Sequence, residues 1–178
     1  MNRNIFIALV MLFNSSSAFS QDVIIGGTNN NRPLTWHDFK GRPDLNSSHD
    51  ALTHWEINYI LQNIRFTGDT VKIGNFSVKL ELNTGKSWTK PEKQTVRLLK
   101  HEQGHFDLGL ICQREMLKQL HNTAFLKAGF QDKIKNIFTS ILQKYQALSN
   151  TYDAETNHSI NQEAQDKWNN FFTQELAN

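Results

Sequence analysis

The spacing of hydrophobic positions along the chain changes from about two to about four near residue 90. Before that point Ile57, Tyr59 and Leu61 alternate with polar neighbours across residues 55–66, and Phe76, Val78, Leu80 and Leu82 do so across residues 70–82. Side chains two apart share one face of a strand, so both segments predict half-buried β-strands. Val71 and Ile73 fall on the opposite parity to Phe76, so a turn or bulge is expected at Gly74 or Asn75. Residues 21–33 carry a short Val23-Ile24-Ile25 run and otherwise read as polar loop, and Asn83-Thr84-Gly85 reads as a turn. The N-terminal half is therefore expected to form a small antiparallel sheet.

Beyond residue 90 the period is helical. Val96, Leu99, Phe106, Leu110, Leu117 and Leu120 recur on one face of a first helix, with Pro91 suited to its first turn. A second helix carries Ile134, Ile137, Phe138, Ile141, Leu142 and Tyr145. A third carries Ile160, Trp168, Phe171, Phe172 and Leu176, with Ser159 and Gln162 spaced as a capping box. Strands followed by three helices predict an α+β fold around one core.

The first twenty residues stand apart. Arg3 precedes the apolar run Ile5 to Phe13 and the polar stretch NSSSAFS, the pattern of a signal peptide with cleavage between Ser20 and Gln21. The run is too short to cross roughly 30 Å of hydrocarbon. The expectation is a secreted or periplasmic protein without a stable membrane anchor, whose residues 21–178 form a single domain. Composition narrows the partners. With 19 Lys and Arg against 17 Asp and Glu, the net charge of +2 gives no electrostatic footprint for nucleic acid. The single Cys112 leaves no disulfide framework within one chain and reads as a packed thiol. Seven histidines make an imidazole and carboxylate metal site the remaining option.

The first helix contains His101-Glu102-Gln103-Gly104-His105, an H-E-x-x-H motif. Positions i and i+4 lie one turn apart on one face, so both imidazoles can reach a single ion. Glu102 is rotated by about 100° and can instead act as general base on a water activated by Zn2+. Gly104 costs roughly 1 kcal/mol relative to Ala inside a helix, and its missing side chain would let a strand or substrate come close.

Three segments carry a resemblance: Leu34-Thr-Trp-His-Asp-Phe-Lys-Gly-Arg-Pro-Asp44, His101-Glu-Gln-Gly-His-Phe-Asp107 and Tyr152-Asp-Ala-Glu-Thr-Asn-His158. In this order they resemble an uncharacterised bacterial family described as predicted secreted zinc-dependent proteases. That resemblance implies a zincin-like metal site on the first long helix and a peptide or protein substrate. Ser159 stands where the family pattern has Gly.

A catalytic zinc needs a third protein ligand. Asp107 points away on the same helix, and Glu115 lies about 21 Å along its axis. The segment from Tyr152 to His158 is better placed, just before the last helix. His158 is the first choice as third ligand, with Asp153 or Glu155 as the carboxylate alternatives, and Asp153 as a partner of His158 if the imidazole ligates. Trp36, Asp38 and Phe39 are expected to plug the sheet beside a tight Gly41 to Pro43 turn rather than line a cleft. His37, His49 and His54 read as ordinary surface or core histidines, and His54 or Tyr152 as candidate oxyanion donors. Lys127, Lys133 and Lys135 read as a solvated face. The expected activity is zinc-dependent hydrolysis of peptides, with a cell-wall amidase or a structural metal module as alternatives.

Overall fold

A computed structural model describes residues 18–177. The expected signal peptide falls mostly on residues 1–17, outside the described residues. The chain runs β1 (Ala18–Ile25), β2 (Thr28–Asn29), β3 (Ala51–Leu52), β4 (Trp55–Thr67), β5 (Thr70–Leu82), β6 (Trp88–Thr89), α1 (Val96–His121), β7 (Phe125–Leu126), α2 (Phe130–Thr156) and α3 (Gln162–Ala177). The class is mixed α+β, with three helices against a sheet of order β2-β1-β5-β4, to which β7 adds beside β5. β3 and β6 form a separate two-stranded ribbon.

The sheet is mixed rather than antiparallel. β4 and β5 form the expected antiparallel pair, Ile57 opposite Leu80 and Leu61 opposite Phe76. β1 lies parallel to the second half of β5, from Ala18 opposite Asn75 to Ile25 opposite Leu82. The short Val23-Ile24-Ile25 run, left outside the expected sheet, thus belongs to a strand that buries Val23 and Ile25. Cleavage after Ser20 would leave Gln21–Ile25 on β5.

The parity change foreseen near Gly74 is shared by both strands. Asn63 takes φ of 56° opposite Gly74, and a Cβ on Gly74 would stand 2.9 Å from Asn63 Cβ. Pairing resumes at Ile64 and Ile73 without an extra residue. Val71 thereby joins Phe76 and Val78 in one core despite its odd position.

α1 begins later than Pro91 suggested. Pro91–Lys93 is a separate 3-10 turn, and Thr95 caps α1 by accepting from the Leu98 amide at 3.1 Å. Val96, expected on the buried face, is 87% exposed. The rest of the stripe packs, Leu117 and Leu120 in the main core and Phe106, Leu99 and Leu110 in a second cluster. Leu108, Ile111, Cys112 and Met116 join the main core with Ile57, Phe76 and Val78 of the sheet and Ile141, Tyr145, Trp168 and Phe172 of α2 and α3. Two glycines let α1 sit between these layers. A Cβ on Gly109 would lie 3.0 Å from Leu80 and 3.1 Å from Trp55 of the sheet. At Gly104 it would meet Tyr152 of α2 and lie 2.8 Å from Phe172 of α3. Neighbouring helices, not a strand or substrate, occupy the space that Gly104 leaves. Gln113 pins α1 to the parallel pair, donating to Val78 O at 2.6 Å and Asp22 O at 2.9 Å.

A second cluster of Val23, Ile25, Leu34, Phe39, Leu80, Leu82 and Phe106 closes the other end of the sheet. Here Trp36 and Phe39 are the plug expected from the sequence, their rings 5.1 Å apart. Asp38 stabilises the turn through a bidentate pair with Arg32 at 2.6 and 2.8 Å and bonds from Thr35. Gly41 passes so close to Gly85 O and Ser87 O that a Cβ would stand 2.8 and 2.9 Å from them. Cys112 is fully buried, and burial pushes its thiol pKa up to about 12.

Candidate metal centre

α1 and α2 run side by side, and their polar faces meet at one point. His101 and His105 stand one turn apart on α1, and Asp153 projects from the last turns of α2. His101 Nε2 lies 3.1 Å from Asp153 Oδ1, His105 Nε2 lies 3.0 Å from it, and the two Nε2 atoms are 3.3 Å apart. Tetrahedral ligands at 2.0–2.1 Å from an ion are separated by ~3.3 Å. The three atoms therefore form nearly the face that such an ion requires, and they make a candidate metal-binding group.

The outer nitrogens explain why the inner ones converge. His101 Nδ1 is 3.1 Å from Gln165 Oε1 on α3. That oxygen can only accept, because the same amide donates through Nε2 to Tyr152 Oη at 2.7 Å. Tyr152 in turn donates to His101 O at 3.1 Å and stacks its ring on the imidazole at 4.6 Å. His101 donates its Nδ1 proton to Gln165 Oε1, and in its neutral form the ring turns the Nε2 lone pair toward the Asp153 carboxylate. His105 Nδ1 is likewise held, 2.9 Å from Ser149 Oγ. Converging lone pairs repel unless a cation, a proton or a metal ion, sits among them. Such outer partners orient imidazole ligands in metal sites. Burial alone would raise the Asp153 pKa, but when the imidazoles are protonated at Nε2 their hydrogen bonds and charge hold it well below the usual carboxylate range. Burial opposes charge on His105, yet contact with Asp153 and the nearby Glu102 raises its pKa above the ordinary value.

Glu102 is 3% exposed and lines the cleft without entering the triangle of ligands. Thr53, between β3 and β4, donates to Glu102 Oε2 at 2.7 Å. The cleft has a volume of about 580 Å³ and is open on one side, lined by Ser48 to Thr53 opposite α1 and the end of α2.

His158, the first choice from sequence, stands beside the triangle rather than in it. Its Nδ1 is 3.4 Å from Asp153 Oδ1, and its side chain is 45% exposed in the cleft. The physical reason is that α2 runs on through Thr156, so Asp153 is helical and one turn from Ser149. Ser149, Tyr152, Asp153 and Thr156 follow i, i+3, i+4, i+7, which places all four on the face toward α1. A helical reading of 149–156 would have found them. Three residues with positive φ then end α2: Asn157 at 45°, His158 at 51° and Ser159 at 79°. Ser159 is part of this turn, and Asn161 rather than Ser159 starts α3, its Oδ1 accepting from the Ala164 amide at 3.2 Å. Glu155 faces away from the centre and accepts from Trp168 Nε1 at 2.7 Å.

The remaining histidines divide. His49 lines the cleft, its ring 4.5 Å from that of His158. His54 sits 3.3 Å from Glu56 outside the lining, and His37 is exposed on its turn. Tyr152 is fully buried and committed to His101, so it does not face a substrate. Asp107 accepts from Gln103 Nε2 at 2.8 Å, and Gln103 Oε1 accepts from the Leu34 amide at 2.7 Å, tying the N-terminal turn to the motif helix. Gln165 was not foreseen at all. Its signal is faint: it shares a face with Trp168 and Phe172 at i, i+3, i+7.

Residues 34–159 match the family model described as Bacterial protein of unknown function (DUF922). The chain belongs to this family. The match spans all three segments on which the sequence resemblance rests, together with His101, Glu102, His105, Asp153 and His158. The DUF922 segment begins after β1 and β2 and ends before α3, so Gln165 reaches the centre from outside it. Comparison with curated proteins and with solved structures gave no match.

Proposed function

We propose that the protein is an exported zinc-dependent hydrolase of amide bonds, most simply a peptidase. His101, His105 and Asp153 would hold the ion, and Glu102 would serve as general base. The observation that carries this reading is the convergence of two imidazole Nε2 atoms and a carboxylate oxygen at separations of 3.0–3.3 Å. Two nitrogens and one oxygen suit zinc, and three protein ligands would leave room for a water, as in catalytic zinc sites.

A bound zinc ion supplies Lewis acidity, polarising a carbonyl and lowering the pKa of water to about 7. The chain's own residues do the rest. Gln165, Ser149 and Tyr152 fix both imidazoles before substrate arrives. Thr53 holds the Glu102 carboxylate at the cleft wall, where it can accept a proton from an attacking water and hand it to the leaving nitrogen. The same chemistry serves peptides and cell-wall amides alike.

Casein, peptide libraries and purified peptidoglycan form the first substrate screen, with zinc-loaded protein. Glu102→Gln should keep stoichiometric zinc and lower kcat by about 10² to 10⁴. His101→Ala should lose both zinc and turnover. Full turnover in Glu102→Gln on a proven substrate would refute the mechanism.

A further inference from the structure

The carboxylates that line the cleft are already matched. Asp153 meets two imidazoles, and Thr53 donates to Glu102. Asp50 lies 3.4 Å from Lys93 and 3.7 Å from Lys90. One cation in the lining is different. Arg97 is exposed, borders the cleft, and has no ion pair or hydrogen bond from its side chain to any described residue. Its position is not arbitrary. Arg97, His101 and His105 follow i, i+4, i+8 on α1, so one helix face carries the guanidinium and both imidazoles. One turn separates Arg97 from His101, about 6 Å along the axis. Such a distance is the reach of one residue of extended peptide, about 3.3–3.6 Å, plus part of a side chain.

We propose that Arg97 is a specificity-determining residue that binds a carboxylate on the substrate, one residue from the bond to be cleaved. This rests on the hydrolase reading of the neighbouring centre. The fixed, planar fork of a guanidinium matches a carboxylate in two parallel bonds, which an ammonium cannot do. Two sources present that group at this distance. One is the C-terminal carboxylate of a substrate cut at its last peptide bond, and the other is an Asp or Glu side chain beside the scissile bond. Lys93 does not compete, being drawn toward Asp50.

The test uses the zinc-loaded protein and small probes whose binding is followed by NMR titration, so turnover is not required. N-acetyl-Ala-Ala is compared with its C-terminal amide, and N-acetyl-Asp amide with N-acetyl-Asn amide. At least one acid should bind about tenfold more tightly than its neutral twin, which is ~1.4 kcal/mol. Arg97→Gln should erase that preference and leave zinc content unchanged. Arg97→Lys should restore only part of it. A preference confined to the first pair assigns the terminal carboxylate, a preference confined to the second assigns an Asp or Glu side chain, and a preference shared by both assigns a carboxylate from either source. Equal binding of acid and neutral probes overturns the proposal. So does a preference that survives in Arg97→Gln, because the acid would then be bound by the ion or by another residue. Failure of the hydrolase reading is separate, since it appears as undiminished turnover in Glu102→Gln whatever the probes do.

Discussion

The two walls of the cleft are built differently. The helical wall, formed by α1 and the end of α2 and backed by α3, is a closed hydrogen-bonded lattice in which His101, Tyr152 and Gln165 each satisfy the next. The opposite wall, residues 48–53, approaches the centre through the Thr53 hydroxyl on Glu102 and the His49 ring against His158. Buried networks of this kind rigidify what they hold, because an unpaired polar atom in a dry interior is costly. The helical wall is therefore suited to holding an ion in fixed geometry. The other wall leaves the cleft open, and Thr53 ties it to Glu102.

Substitutions can sharpen that contrast. The largest effect should come from Asp153→Ala. Removing one of three protein ligands should weaken zinc binding by more than 10², read by competition with a chromophoric chelator. His158→Ala should leave that affinity within a few-fold; an equal loss would make His158 the ligand and Asp153 its partner. Next comes Gln165→Leu, which keeps the volume but removes the acceptor for His101 Nδ1. It should weaken zinc binding by about 10–100-fold. An unchanged affinity would mean that α3 plays no part in the helical wall's rigidity. On the opposite wall, Thr53→Val should leave zinc binding untouched and lower kcat by about tenfold, with Thr53→Ser restoring most of it. A loss of zinc in Thr53→Val would erase the distinction between the walls.

The smallest effect lies on neither wall and serves as a reference. The hydrogen bond and charge of Arg32, with bonds from Thr35, outweigh burial and lower the Asp38 pKa to about 2. The folded value lies below the unfolded one of about 3.9, so this contribution is present above pH 4 and is lost as pH falls from about 4 to about 2. Arg32 is partly solvated, its side chain 37% exposed, so about 1 kcal/mol is expected rather than the full shift. Denaturant titrations of the protein and of Asp38→Asn should differ by that amount at pH 6 and converge near pH 2.

The helical wall was also the more legible in sequence, though only half of it. His101, Glu102 and His105 announce themselves because their spacing is local, and a helix converts four residues of sequence into one turn of space. Asp153 comes from a second helix, and its place beside the two imidazoles, with His158 at the edge, depends on where α2 stops. Three left-handed residues, none of them glycine, set that end and give little warning in the sequence. The strands β4 and β5 were read from alternation, whereas β1 was not. Val23-Ile24-Ile25 is too short a run to reveal a parallel partner more than fifty residues away, and the pairing is fixed by packing and by Gln113. Val96 misled because an apolar residue at a helix start need not face the core.

Cys112 gives the molecule a built-in reporter. The chain's one sulfhydryl sits fully enclosed where α1 meets the sheet and the other helices, so an alkylating reagent can reach it only when those layers part. The speed of labelling then counts excursions of the whole domain rather than fraying at its margins. Because the candidate metal-binding group bridges α1 and α2, the same clock would register whether an added ion clasps the two helices together.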